Sequence, residues 1–394
     1  MKVAGIIAEY NPFHNGHAHH IAATRAAGAT HCIVVLGSHF TQRGEPSLLP
    51  KAVRTRMALA GGADLVLELP QPWSCASAEG FARGGASLLH HTGIADMLSF
   101  GSEGGDTAAI VSAAAIMNTP PFSAAVRENL KTGISYAAAQ EKALLALCGE
   151  NAAALLRQPN NTLGVEYCRA LLRLGSTVTP LAVPRIGAAH DAEKAENGIA
   201  SASFIRAEIA SGHAVGAFLP CDSAALLRNN VEAGHYTGNV MLADRILLSR
   251  LRMADTATLA ALPGVSEGLE NRLFAALQKA ATLQEVTDTV KTRRYTAARL
   301  RRILTAAFLE LPSGFEKSEP PYLRVLGIGE KGEELLRLMR DNATLPLFTD
   351  AMQPPTDIFS QKVFAFECKA SDLYGSLLST PLPCGQEFTV GMLR

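Results

Sequence analysis

No C-x-x-C pair occurs among the seven cysteines of this 394-residue chain, because Cys32, Cys75, Cys148, Cys168, Cys221, Cys368 and Cys384 are scattered along it. Their spacing excludes a zinc ribbon, a dithiol redox motif and a dense disulfide framework, and it fits a reducing cytoplasm. An excess of either charge is also missing, with 36 Lys and Arg against 36 Asp and Glu. No global field therefore draws in nucleic acid or an anionic membrane, and any such partner needs a local patch. No run of about 18 apolar residues offers itself as a membrane span. After Met1 and Lys2 the run VAGIIA is broken by Glu9, Asn11 and His14, too soon for a signal peptide. Internal repeats and long low-complexity tracts are absent. What remains, 48% hydrophobic and 18% charged residues, is the profile of a soluble globular chain with room for two or three domains.

The first hundred residues alternate β-branched runs with Ala-rich stretches, the pattern of parallel strands joined by crossover helices. Strands are expected at 2–8, 32–36, 64–69 and 96–100, with helices at 17–27, 51–60 and 77–90, closed by Gly28 and by Gly61 and Gly62 where the chain turns. A helix-rich insertion runs from about 106 to 174, followed by a strand at 177–183 and a helix at 201–210. The fold class is thus α/β, a Rossmann-like doubly wound parallel sheet over residues 1–215. From 216 to 312 apolar residues recur at helical spacing, which predicts a helical domain. The stretch 313–321, preceded by Pro312 and ending in Pro320 and Pro321, reads as a linker to a small C-terminal α/β unit at 321–394. In that unit Gly327, Gly329 and Gly332 fit G-x-G-x-x-G, but only 62 residues follow, too few for a dinucleotide domain, and Glu330 is the wrong charge beside a pyrophosphate.

The segment Glu9-Tyr10-Asn11-Pro12-Phe13-His14-Asn15-Gly16-His17 falls directly after the first strand and opens the first helix. In a doubly wound sheet that position lies beside the crevice where ligands bind. Pro12 stiffens the turn, and Gly16 lets backbone approach a ligand. His14 and His17 are three apart, so on a helix they share a face at its positive end, where imidazole and backbone N–H donors suit a phosphate gaining charge under attack. The chemistry this suggests is transfer of a nucleotidyl group. The same histidines also fit simple helix capping, and His14, His17, His19 and His20 together read as a metal-binding tract.

Further along, Ser201, Ser203 and Arg206 form an S-x-S-x-x-R run at a predicted helix start, suited to clamp phosphates or to serve as an ordinary cap. Gly101, at the end of the fourth strand, gives a base room to lie on bare backbone. Asn161 suits either the cap of its own helix or a nucleotide edge, with the cap the leading reading. Lys51 and Arg54 offer positive charge near phosphates or a solvated face. The strongest basic run holds Lys291, Arg293, Arg294, Arg299, Arg301 and Arg302 with no acid among them. A helix there buries Leu300, Ile303, Leu304 and Phe308 and leaves the arginines outside, a ridge suited to an RNA backbone, with Tyr295 available to stack on a base. A solvated helix face is the alternative.

EYNPFHNGH resembles the H-x-G-H signature of the nucleotidyltransferase superfamily. With QRGEP at 42–46, DLVLELP at 64–70, FGSE at 100–103, PNN-x-LG-x-EY at 159–167, SASFIR at 201–206, EGLENR at 267–272 and KTRRYT at 291–296, the chain resembles the tRNA(Met) cytidine acetate ligase family over most of its length. The resemblance implies an ATP-dependent ligase that activates acetate as acetyl-adenylate and acetylates N4 of the wobble cytidine of elongator tRNA(Met), with Mg²⁺ accompanying ATP. It implies His14, His17 and Arg206 as catalytic. It implies ATP contacts at Ile7, Ala8, Glu9, Tyr10, Asn11, Pro12, Phe13, His14, Asn15, Gly16, His17, Ala18, His19 and His20, and at Gly101, Asn161, Arg185, Ser201 and Ser203. Lys291, Arg293, Arg294, Tyr295, Arg299 and Arg302 would meet tRNA; no membrane, DNA or protein-bound metal is expected. Ser38, His39 and Gln42 are the nearby candidates for an acetate pocket. Two other functions suit the residues: an adenylyltransferase acting on a small phosphorylated metabolite, and a nucleotide-dependent RNA-binding protein without turnover.

Overall fold

A computed structural model of the chain describes residues 1–186 and 198–394. Seven strands form one sheet: β1 (Val3–Ala8), β2 (His31–Gly37), β3 (Leu65–Leu69), β4 (Met97–Ser102), β5 (Thr179–Pro184), β6 (Leu323–Ile328) and β7 (Leu347–Phe348). Their spatial order is β5-β4-β1-β2-β3-β6-β7. The first five are parallel, and β2 and β3 are buried along their whole length, as strands covered on both faces by crossover helices must be. The covering helices include α1 (Asn15–Ala26), α2 (Lys51–Ala60) and α3 (Ala78–His91), each within two residues of its expected position. The insertion forms five helices, of which the last, α4 (Pro159–Arg173), packs on α3. A short helix, α5 (Ala202–Ala210), follows the fifth strand. The predicted helical region is present as well and ends in α6 (Ala297–Leu309), whose inward face is Leu300, Ile303, Leu304 and Phe308.

Strand order reverses at β1, which has β2 on one side and β4 on the other. The carboxyl ends of β1 and β4 thus open the crevice in which doubly wound sheets hold ligands.

The C-terminal strand and helix form where expected, but they extend the N-terminal sheet. Strand β6 runs antiparallel to β3, pairing Leu65 with Ile328 and Val66 with Gly327, and α7 (Gly332–Asn342) packs Leu335, Leu336 and Met339 into the core shared with Leu65 and Leu67. An unpaired β3 would expose a row of backbone donors and acceptors, and β6 covers that edge. The three glycines of G-x-G-x-x-G serve this docking: a Cβ on Gly329 would lie 2.7 Å from the Ala63 carbonyl, and one on Gly332 2.4 Å from that of Asp64. The proline-rich stretch at 313–321 is likewise packed, since the Trp73 indole donates to the Ser318 carbonyl at 2.9 Å and the Ser87 hydroxyl to Glu319.

Lys51 and Arg54 are not at a phosphate site. The Arg54 guanidinium is fully buried and donates to the carbonyls of Glu9, Gly37, Ser38 and Leu49, which ties together the chain leaving β1 and β2. The Lys51 ammonium is buried among Glu68, Glu367 of α8 (Ile358–Gly375) and Glu387; Arg324 of β6 bridges Glu68 and Glu387. Burial alone would lower the Lys51 pKa, but the three carboxylates hold it above its ordinary value. Ser38 donates to Glu367, and His39 reaches Glu387 and stacks on Tyr374, so both belong to this cluster. His39, Glu367 and Glu387 have the spacing of metal ligands, but Lys51 already supplies a cation among them.

Removing one member of a buried ion cluster strands the charges left behind. Lys51→Met is expected to cost about 3–5 kcal/mol of unfolding free energy, measured by urea denaturation. A loss under about 1 kcal/mol, the scale of solvated surface pairs, would contradict this description.

Candidate active site

A cleft of about 420 Å³ opens at the switch point, lined by Ile6 to Asn11, His14, Gly16, His17, His19 and His20, by Thr41, Gln42, Arg43 and Glu45, and by Gly101, Asn160, Arg185, Ser201, Ser203 and Arg206. The turn from β1 into α1 places the histidines. Tyr10 adopts a left-handed backbone (φ 47°), the Asn11–Pro12 peptide is cis, and His14 is the extended N-cap of α1. The His14 Nδ1 accepts from the Gly16 N–H at 3.1 Å, and the His17 Nδ1 accepts from the His14 N–H at 3.2 Å. This is a reciprocal capping arrangement built from imidazoles. The two rings stack with centroids 3.7 Å apart.

Capping and phosphate recognition are therefore not rival readings. An Nδ1 that accepts a backbone N–H carries no proton, so in each neutral ring the proton sits on Nε2. Burial, followed by the nearby Arg185 and Arg206, pushes the His14 pKa down to about 3. Burial and His14 hold His17 well below its ordinary value. Two neutral N–H donors are presented in the cleft, while positive charge comes from arginine. His20 also lines the cleft, but its Nε2 is engaged with the Ser99 hydroxyl at 2.9 Å, which braces α1 against β4.

On the other wall, Ser201 caps α5, its hydroxyl oxygen accepting from the Phe204 N–H at 3.1 Å and leaving the hydroxyl proton to donate. One turn on, Arg206 donates to the Asn11 carbonyl at 2.9 Å and lies 3.5 Å from the Ser203 hydroxyl. The S-x-S-x-x-R run and the histidine turn thus face the same space. Arg185 lies across Gly101, where a Cβ would be 3.5 Å from the Arg185 Cγ, and donates to the Asn160 side chain at 3.3 Å.

Asn161 does not cap its helix. Gln158 is the N-cap of α4, and the Asn161 carbonyl oxygen accepts from the Ser102 hydroxyl at 2.7 Å and the Glu103 N–H at 3.2 Å, which ties α4 to the end of β4. Glu103 returns the bond by accepting from the N–H groups of Asn160 and Asn161. Sequence reasoning missed Glu103 and Asn160, because the two lie 57 residues apart and no local pattern marks their pairing. It also missed Arg43 and Glu45, which follow Gln42 into the cleft; of the three acetate-pocket candidates only Gln42 lines it. The Gln42 N–H donates to the partly buried Glu9 carboxylate at 2.7 Å.

The basic run is more engaged with protein than a solvated ridge. Tyr295 is only 6% exposed, its hydroxyl donates to the Ser266 carbonyl, and Arg299 covers its ring, so no free face awaits a base. Arg299 donates to the Gly264 carbonyl, Arg294 pairs with Glu267, and Arg301 and Arg302 point at loop 41–46. Lys291 and Arg293 are exposed.

A parallel sheet with paired histidines at its switch point and a Ser/Arg helix start opposite defines a nucleotidyltransferase of the H-x-G-H class. The family model described as HIGH Nucleotidyl Transferase matches residues 1–387. The curated tRNA(Met) cytidine acetate ligase of Acetivibrio thermocellus is 36% identical, with 100% of each chain covered. That of Syntrophotalea carbinolica is 40% identical over 89% of this chain and 85% of its own. The crystal structure of Thermotoga maritima TmcAL in its apo form superposes with a TM-score of 0.93 at 30% identity, covering 100% of this chain and 99% of that one. The same protein bound with alpha-thio ATP gives 0.91 with 100% of both chains covered. The chain belongs to the HIGH nucleotidyl transferases and, within them, to the tRNA(Met) cytidine acetate ligase family.

Two outcomes follow from the neutral, capping histidines. His14→Ala removes the cap and is expected to cost about 1 kcal/mol, whereas His14→Asn, with a good capping side chain, should lose only a few tenths; thermal unfolding of the two variants distinguishes them. Because His14 titrates at about 3 in the fold against 6.5 when unfolded, its stabilising contribution is complete above pH 6.5 and is lost as pH falls toward 3. The loss runs at up to about 1.4 kcal/mol per pH unit. His14→Asn should flatten the acid limb of a stability profile, and an unchanged limb would show that His14 is not held neutral.

Proposed function

We propose that this chain is an ATP-dependent ligase that activates acetate as acetyl-adenylate and transfers the acetyl group to N4 of the wobble cytidine of elongator tRNA(Met). The observation that carries this reading is the convergence of His14 and His17 with Ser201, Ser203 and Arg206 on one cleft, in a chain related over its full length to ligases of that name. A carboxylate oxygen of acetate attacks the α-phosphorus of ATP, the bond to the bridging oxygen breaks, and pyrophosphate leaves. The Nε2–H groups of His14 and His17 donate to oxygens of the attacked phosphate, where charge accumulates in the transition state. Arg206, Ser201 and Ser203 hold the departing pyrophosphate, and Arg185 adds charge beside the nucleotide. The cytidine N4 then attacks the acetyl carbon, adenylate leaves, and the amine loses a proton. No covalent enzyme intermediate is needed.

Mg²⁺ enters with ATP in this reading and neutralises phosphate charge when bound. Among the described residues the cleft brings together no three metal-ligating side chains, which suits an ion held by phosphates and water. Lys291, Arg293 and Arg294, at the entry to α6, form the RNA-facing edge, with the Arg299–Tyr295 pair behind them.

ATP–pyrophosphate exchange by the purified protein tests the first half-reaction. Exchange should require acetate and fall at least about 100-fold in His14→Ala and His17→Ala, the scale of losing a transition-state donor. Exchange that proceeds equally without acetate would contradict the ligase reading and favour adenylyl transfer to another acceptor.

A further inference from the structure

The loop 41–46 is fastened on both sides. Toward the sheet, the Gln42 N–H donates to Glu9. Toward the helical region, Arg302 donates to the Gln42 carbonyl at 3.3 Å, Arg301 to the Arg43 carbonyl at 3.4 Å, and the Thr305 hydroxyl to the Gly44 carbonyl at 2.9 Å. Gly44 sits at φ +73°, and a Cβ there would lie 2.4 Å from the Arg302 backbone nitrogen, so loop and α6 meet backbone to backbone. On this loop Glu45 stands between two cations. One carboxylate oxygen is 3.2 Å from Arg301 Nε of α6, and the other is 3.9 Å from Arg206 Nη2 of α5. Glu45 and Arg206 both line the cleft.

A carboxylate in a cleft that receives polyphosphate needs a reason to be tolerated, because an unpaired negative charge there repels the ligand. We propose that Arg301, far in sequence from the residues of the nucleotide cleft, is a positioning residue for ATP binding: it holds Glu45 and neutralises it, so that the Glu45 charge does not oppose the phosphates. The affinity of the nucleotide cleft then depends on a side chain of the helical region, before any RNA is present. This rests on the nucleotide occupying the cleft as in the proposed function.

The test is ATP affinity of the full chain by isothermal titration calorimetry, without RNA, for the wild type, R301A, R301K, E45Q and the double variant R301A/E45Q, with thermal melting of each as a folding control. R301A exposes the Glu45 charge and should weaken ATP binding about 10-fold, the scale of one partly screened charge near a polyphosphate. R301K keeps the charge and should retain most of the affinity. The double variant, with no charge left to neutralise, should regain most of what R301A loses, a rescue that mere loop packing would not give. Wild-type-like binding by R301A overturns the inference, as does a double variant as weak as R301A. If the wild type itself binds no ATP, the proposed function fails and this inference with it; wild-type binding with an unaffected R301A removes this inference alone.

Discussion

Two hydrogen bonds from backbone N–H to imidazole Nδ1, at His14 and His17, set the chemical character of the cleft. They fix both rings at the start of α1, force the protons onto Nε2, and satisfy amides that a helix N-terminus would otherwise leave unpaired. The same residues are thus cap and donor. Burial keeps them neutral, so they contribute directed N–H groups and little charge. Arg206 and Arg185, placed from α5 and from the end of β5, supply the positive field instead. This division suits an attacked phosphate, because fixed neutral donors need no reorganisation as charge moves toward them.

Around that turn, the fold works to hold strand ends still. Arg54 gathers carbonyls from the chain after β1 and β2, and Asn161 and Glu103 exchange hydrogen bonds between β4 and α4. Beneath them, the Lys51 cluster joins α2, β3, β6 and α8 through buried charges. The C-terminal residues are therefore structural partners of the N-terminal sheet, and the helical region meets the cleft through loop 41–46. The cleft and the basic run at the entry to α6 belong to one connected body of packing.

Much of this was legible in local sequence. The alternation of β-branched and Ala-rich runs placed four parallel strands and the first three helices, a further run at 177–183 placed the fifth strand, and a histidine pair after β1 pointed to the switch point. Periodicity located α6 and its buried face. What was not legible depended on distant partners. Nothing in the pattern of 323–328 says that it pairs antiparallel with β3, nor that Lys51, which reads as a helix-opening cation near phosphates or on a solvated face, faces Glu367 from 316 residues away. Tyr295 reads as a free stacking platform until its hydroxyl is seen bonded to Ser266. Asn161 reads as a cap because caps are local, whereas its actual partners, Ser102 and Glu103, are brought by the sheet.

The central claim is that His14 and His17 are neutral Nε2–H donors fixed by their own backbone. Nitrogen-15 NMR of the imidazole rings, assigned with His14→Asn and His17→Asn, reads tautomer and protonation directly across pH 5 to 8. The account predicts, for both rings, an unprotonated Nδ1, a protonated Nε2 and no titration in that range. Protonation of either ring near pH 6.5, or a proton on Nδ1, would contradict it.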